Sequence, residues 1–89
     1  MAVTRADGVL DEIVDGKAVL IGAAGTHVVD LNPLGTLVWS GLDGRREVPD
    51  LVELVRQALD DPEAVPASQV EADVTAFLAE LERLELIRA

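Results

Sequence analysis

The sequence predicts an α+β fold in which an N-terminal three-stranded antiparallel sheet is followed by three α-helices, an order that winged helix-turn-helix domains can have. Three observations carry this prediction. An Asp-Gly dipeptide separates two apolar runs, an Asn-Pro pair opens the first stretch with helical periodicity, and a Ser-Gln-Val-Glu capping box precedes the last one. At 89 residues, the chain is expected to form a single domain spanning residues 1–89.

The first third of the chain predicts a small β-meander. Asp15-Gly16 lies between the apolar runs Val9–Val14 and Lys17–Ile21. Such a dipeptide favours a type I′ hairpin turn, because both central residues of that turn need positive φ. Gly25 offers a second turn before a third strand at His27–Leu31. Strands joined by tight turns pair in the order 1-2-3, which leaves the third predicted strand at an edge of the sheet.

The remaining two thirds predict three helices. Asn32-Pro33 begins the first, since Asn is a good N-cap and Pro fits the first helical position. The second is predicted to begin near Pro49, and the third at Ser68, which forms a capping box with Glu71. Leu86-Ile87 is expected to form a short terminal strand or a last docking turn. Apolar residues at helical spacing mark the third helix: Val70, Val74, Phe77, Leu78, Leu81 and Leu84.

Composition excludes several classes of function. The chain has 17 acidic and 7 basic residues, a net charge of −10 and no cysteine. A disulfide frame, a thiol nucleophile and a thiolate metal site are therefore excluded, and phosphate backbones and anionic membranes are poor partners. The N-terminus has no apolar signal sequence, and no apolar stretch approaches the ~20 residues that span a bilayer. We expect a soluble, cytoplasmic protein.

No pattern in the sequence indicates catalysis or a cofactor. His27 is the only histidine and is expected to face solvent, while Trp39 is expected to join the helices to the sheet in the core. The N-terminal acidic residues lack the order of a calcium loop and indicate a solvated edge instead; they are Asp7, Asp11, Glu12 and Asp15. We therefore predict a protein that is not an enzyme and holds no metal.

DNA binding is the first alternative that the predicted element order raises. The recognition helix of a winged helix-turn-helix protein presents Arg, Lys or Asn to the groove. From Ser68 to Arg88 this chain has five acidic residues against two basic ones. Such a helix would be repelled by DNA, so a winged-helix transcriptional regulator is kept only as an alternative function, beside a generic protein-interaction module.

The edge of the sheet is the remaining candidate site. An exposed edge strand can accept an extended peptide as an added strand. Val28 and Val29 are adjacent in the third predicted strand, so one of them points away from whichever face is buried. That valine is either an ordinary exposed side chain or a wall of a peptide groove, and the residues alone leave both open.

The order of several motifs resembles the PqqD-like family, whose members are also called RiPP recognition elements and bind the leader of a ribosomally made peptide. The resemblance covers about Val9 to Ile87. The motifs are Val29-Asp30-Leu31-Asn32-Pro33-Leu34-Gly35, Val38-Trp39, Leu42-Asp43-Gly44, Val48 with the Leu51 stripe, and Val70-x-x-Asp73-Val74-x-x-Phe77-Leu78-x-x-Leu81. Three positions depart from the family pattern: Val29 replaces a frequent aromatic residue, Glu47 a capping Ser or Thr, and Glu85 a helix-ending Gly.

The resemblance implies a winged helix-turn-helix-like fold and a mode of action, in which the leader adds as a strand along the third strand and lies in a cleft closed by helix 3. By this resemblance the pairing backbone is Thr26, His27, Val28, Val29, Asp30 and Leu31, with Val28 and Asp30, or their neighbours in another register, lining the cleft. The facing wall on helix 3 is Asp73, Ala76, Phe77 and Glu80, with Phe77 alternatively in the core.

The resemblance also implies two partners, the precursor peptide and a maturation enzyme, which is either a radical SAM enzyme or a leader peptidase as in lasso-peptide systems. The protein would be a peptide chaperone that carries no chemistry of its own. Acidic groups near the cleft favour a leader with Lys or Arg beside apolar anchors, bound more weakly as salt rises. The expected state is a monomer or a weak homodimer through the third strand.

Overall fold

The computed structural model describes residues 2–22, 25 and 28–88. The strands are β1 (Thr4–Arg5), β2 (Leu10–Val14), β3 (Lys17–Ile21), β4 (Val28–Asp30) and β5 (Ile87–Arg88), and the helices are α1 (Pro33–Ser40), α2 (Val48–Ala58) and α3 (Ala67–Arg83), with a 3₁₀ turn at Pro62–Ala64. The predicted α+β class is confirmed. The three predicted strands are β2, β3 and β4, which form an antiparallel sheet in that order.

The hairpin between β2 and β3 turns where the Asp-Gly dipeptide predicts. Asp15 and Gly16 have φ of 52° and 78°, the two left-handed residues that a type I′ turn requires. The register pairs Val14 with Lys17 and Leu10 with Ile21. This register fixes which side chains face the helices along the whole sheet.

Helix α1 begins as predicted, because the Oδ1 of Asn32 accepts a 2.7 Å hydrogen bond from the N–H of Gly35. The predicted start of the third helix is wrong. Helix α3 begins at Ala67 with Pro66 at the N-cap, and the Pro66 carbonyl accepts from the N–H of Gln69 and Val70 at 3.0 and 3.2 Å. Ser68 therefore lies in the first turn and caps nothing.

The core lies between the sheet and the helices. Trp39 is 1% exposed, as expected of the residue that joins the two layers. The largest fully buried side chains are Trp39, Leu20, Leu51, Leu81 and Leu86. Within the described ranges, no helix is long and apolar enough to cross a membrane.

A second, two-stranded sheet pairs β1 with β5 and joins the two ends of the chain. It is linked to the main sheet by Asp11 of β2. The Asp11 carboxylate accepts from Nε1 of Trp39 at 2.9 Å and from the Arg5 guanidinium at 3.3 Å, and that guanidinium lies 4.6 Å from the centre of the Trp39 ring. Asp11 thus has a structural role that its interpretation as part of a solvated edge missed.

Candidate functional site: a free sheet edge beside an apolar cavity

Strand β4 ends the three-stranded sheet and leaves one of its edges unpaired in that sheet. The N–H of Leu31 donates to the carbonyl of Ala18 on β3 at 2.8 Å. Residues of an antiparallel strand alternate between those whose backbone bonds the neighbour and those whose backbone points away. The N–H and C=O groups of Val28 and Asp30 therefore point to the free edge, where an added strand would find donors and acceptors.

The register places the side chains of β4 on opposite faces. Val29 lies opposite Leu20, on the face that packs against α1, and is partly buried. Val28 and Asp30 lie opposite Ile21 and Val19, on the outer face. Val28 is 66% exposed. Of the two adjacent valines, Val28 is therefore the one that points away from the core.

The predicted pairing segment also contains Leu31, Thr26 and His27. Leu31 is 4% exposed and belongs to the core. Its backbone pairs with β3, so its contribution to the site is to hold β4 in register. Thr26 and His27 lie outside the described residues, and their proposed role in pairing stays a prediction.

The four predicted residues of α3 follow the spacing i, i+3, i+4 and i+7 and share one flank of the helix. Phe77 is partly buried and contacts α1, since a Cβ placed on Gly35 would lie 3.2 Å from Cε1 of the Phe77 ring. Gly35 lies in the first turn of α1, five residues after the end of β4, so Phe77 reaches the segment that follows β4. Asp73, Ala76 and Glu80 are exposed.

An apolar cavity of about 380 Å³ opens at this junction. Helix α1, the end of α2 and the part of α3 from Val70 to Phe77 supply most of its walls, and two polar side chains, Asn32 and Asp73, interrupt them. Such a cavity with a few polar groups is typical of binding sites. The lining residues are Asn32, Leu34, Gly35, Val38, Val55, Leu59, Val65, Val70, Asp73, Val74 and Phe77.

The structure thus gathers some predicted residues and separates others. Asp73 and Phe77 line the cavity beside Asn32, whereas Ala76 lies in a shallow depression along the exposed face of α3, together with Ala72 and Ala79. Sequence reasoning missed the walls from α1 and α2. One of these walls lies at Gly35 in the first helical turn, where an added Cβ would lie 3.1 Å from Oδ1 of Asn32 and 3.2 Å from Cε1 of Phe77, a closeness that the sequence alone does not show.

Negative charge is unevenly compensated around the site. Arg83 forms an ion pair and hydrogen bonds with Glu80, and the hydrogen bond from Arg83 lowers the pKa of the Glu80 carboxyl. Asp73 accepts only a 3.0 Å bond from Nε2 of Gln69 among the described residues. The Asp30 side chain has no hydrogen bond or ion pair with any residue that the structure describes. Asp30 and Asp73 are thus the carboxylates open to a basic ligand.

Within residues 2–22, 25 and 28–88, no group of three His, Cys, Asp or Glu side chains is arranged to hold a metal ion.

A small α+β fold with a free sheet edge beside an apolar cavity defines a class of protein that can bind an extended peptide. The family model described as Coenzyme PQQ synthesis protein D (PqqD) matches residues 17–87. The chain belongs to the PqqD family, and the resemblance found in the sequence is confirmed.

Two solved structures share the fold across nearly the full chain. One, TbiB1 in complex with the TbiA(beta) leader peptide, has a TM-score of 0.83 and 23% identity and covers 97% of this chain and 95% of its own. Another, lasso peptide synthetase B1 complexed with the leader peptide, has a TM-score of 0.83 and 15% identity and covers 100% of both chains. No curated protein matches this sequence.

Proposed function

We propose that this protein binds the leader region of a ribosomally synthesised precursor peptide and delivers the precursor to a maturation enzyme. The observation that carries the proposal is the free edge of β4 together with the cavity that α1, α2 and α3 form past its end. Membership of the PqqD family supports it. Both solved neighbours, which are described as leader-peptide complexes, support it as well.

In the proposed complex the leader adds as a strand along β4 and pairs with the backbone of Val28 and Asp30. Side chains of an added strand alternate between its two faces. Those on the helix side would lie between Val29 and the Asp73–Phe77 flank of α3, and those on the outer side would lie beside Val28 and Asp30. Pairing through Thr26 and His27 would lengthen the added strand, and contacts to Ala76 and Glu80, which do not line the cavity, would lie on the exposed side of α3.

The cavity would receive an apolar side chain of the leader. Its volume of about 380 Å³ lies within the range of pockets that bury most of a small ligand. The rim carboxylate of Asp73 would attract a basic residue beside that anchor. Because the cavity lies past the end of β4, the anchor belongs to a leader residue outside the paired segment.

The protein would contribute no chemistry and would act by raising the local concentration of the precursor at the enzyme. The enzyme is either a radical SAM enzyme or a leader peptidase, and it would contact a surface away from the cleft. We infer a single cytoplasmic domain that is a monomer or a weak dimer. A dimer through β4 would compete with the leader for the same edge.

The experiment is fluorescence polarisation with the labelled leader of the precursor gene nearest to this one. Wild-type protein is expected to bind saturably below tens of micromolar. Val28→Pro removes an N–H that faces the free edge and no bond to β3, so it should weaken binding at least tenfold. Val28→Ala keeps that N–H and is the matched control for the lost side chain. No saturable binding to wild type would overturn the proposed function.

Saturable binding that Val28→Pro and Val28→Ala weaken equally would overturn strand addition while leaving leader binding in place.

DNA binding finds no support on α3, whose exposed residues in its second half include Glu80 and Glu82. A gel shift at physiological salt is expected to show no complex with duplex DNA, and a shifted band would favour a regulator instead.

A further inference from the structure

The outer face of the main sheet carries an apolar row that crosses all three strands. Leu10 of β2 pairs with Ile21 of β3, which pairs with Val28 of β4, so the three side chains lie side by side. They are 65%, 37% and 66% exposed, respectively. The row runs directly to the free edge and stops there, which leaves one side of Val28 without an apolar neighbour in the sheet.

The next row on the same face is acidic at both ends. Glu12 pairs with Val19, and Val19 with Asp30. Neither carboxylate forms an ion pair with a residue that the structure describes. Lys17, one row further along β3, lies diagonal to Asp30 and forms no ion pair with it. The free edge therefore ends in an apolar side chain and, two residues on, a carboxylate.

A strand added to β4 would place two of its residues opposite Val28 and Asp30 in a fixed register. The sheet is antiparallel throughout, and antiparallel pairing is the more stable kind. The backbone groups of Val28 and Asp30 would each form a hydrogen-bonded pair with one peptide residue, about 5.5 Å away between Cα atoms. In such pairs the two side chains point to the same face, so both peptide side chains would continue the outer rows.

We propose that the outer face of this sheet selects peptides that carry Lys or Arg two positions before an aliphatic residue, the basic side chain opposite Asp30 and the aliphatic one opposite Val28. The order follows from the antiparallel direction, because the residue opposite Asp30 comes first in the peptide. The inference rests on the proposed strand addition and adds to it a recognition element independent of the cavity. Cross-strand apolar and opposite-charge pairs of this kind stabilise sheets.

The residue between these two would point to the helix side, so it takes no part in the pattern. The pattern is thus basic, any residue, aliphatic. Opposite-charge cross-strand pairs contribute modestly, and we expect each to change affinity about two- to tenfold when it is reversed.

The experiment selects phage-displayed random 12-residue peptides on three immobilised proteins: wild type, Asp30→Lys and Glu12→Lys. Asp30 and Glu12 are both exposed, so the variants are expected to fold, and a thermal melt of each checks this. Glu12→Lys is the matched control, since it reverses a charge in the same row two strands away, about 10 Å from Asp30. Wild type and Glu12→Lys should enrich the basic, any, aliphatic pattern, and Asp30→Lys should enrich an acidic residue in place of the basic one.

The best wild-type peptide is then synthesised with its basic residue replaced by Glu. This peptide should bind wild type about two- to tenfold more weakly and regain its affinity on Asp30→Lys. Enriched peptides that lack the pattern, or whose charge Asp30→Lys leaves unchanged, would overturn this inference alone. If no enriched peptide loses its affinity on Val28→Pro, strand addition fails and the inference with it.

Discussion

Two short strands of the fold, β4 and β5, differ in how deeply they are buried. Strand β5 is two residues long and pairs with β1, and Ile87 of β5 is 3% exposed. Strand β4 is three residues long and ends its sheet, with Val28 66% exposed. Within the described part of the chain, each strand pairs with one neighbour only, and the difference lies in burial. The side chain of Ile87 belongs to the core, and we call the β1–β5 pair the closed region; the side chain of Val28 lies exposed at the edge of its sheet, and we call β4 the open region.

The backbone around the β1–β5 pair is also satisfied beyond the two strands. Val3 donates to the carbonyl of Arg46 at 3.2 Å, and Ala6 to that of Leu86 at 2.9 Å. If β4 binds the leader as proposed, substitutions in the β1–β5 region should mainly change stability, and substitutions at β4 and the cavity should mainly change binding.

The largest expected effect is on stability, in the closed region. Ile87→Ala removes buried methylene and methyl groups and should lower the free energy of unfolding by about 2–5 kcal/mol, measured by urea titration. Val28→Ala is the matched control, since it shortens an exposed aliphatic residue in the other short strand and should change stability by under about 0.5 kcal/mol. Equal losses for the two variants would remove the distinction between the regions.

The next effect is on binding, in the open region. Phe77→Ala removes a wall of the cavity and should weaken leader binding about tenfold, because truncating a central apolar contact typically costs 1–2 kcal/mol or more. Val52→Ala on α2 is the control, since Val52 is also partly buried against the core but does not line the cavity. Polarisation titrations that give the same affinity for both variants would show that the cavity is not used.

A smaller gain in stability is expected where α3 passes into β5. Glu85 has φ of 61°, and the N–H of Leu86 donates to the carbonyl of Leu81 at 2.9 Å, a helix end at which glycine is usual. Glu85→Gly should raise the free energy of unfolding by about 0.5–1 kcal/mol, because a non-glycine residue is strained there. Leader affinity should not change. A lower urea midpoint for Glu85→Gly would contradict this account of the helix end.

The sequence predicts the regular parts of this fold because their signals are local. Asp15-Gly16 and Asn32-Pro33 each determine a turn or a cap from neighbouring residues, and both predictions are confirmed. The β1–β5 sheet is predicted only in part. Leu86-Ile87 is expected as a short terminal strand or a docking turn, and a strand forms at Ile87–Arg88, whereas the two residues of β1 are too few to show alternation. The capping box predicts that α3 begins at Ser68, whereas the carbonyl of Pro66, two residues earlier, accepts the first helical bonds.

The site is harder to predict than the fold because it joins distant segments. Two adjacent valines in β4 are equivalent in sequence, and only the register with β3 shows that Val29 faces the helices and Val28 the outer face. The cavity takes its walls from three helices, and no periodic pattern connects Leu34, Leu59 and Phe77. The role of Gly35 becomes visible only once the Phe77 ring is seen beside it.

Amide hydrogen exchange of β4 with and without the leader tests the central claim most directly. In the free protein the N–H groups of Val28 and Asp30 point to the open edge and should exchange fast, whereas the N–H of Leu31, bonded to Ala18, should be protected. A saturating leader is expected to slow exchange at Val28 and Asp30 and to leave Leu31 protected as before. If the leader binds and exchange at Val28 and Asp30 stays fast, the peptide does not add as a strand to β4 and the account is wrong.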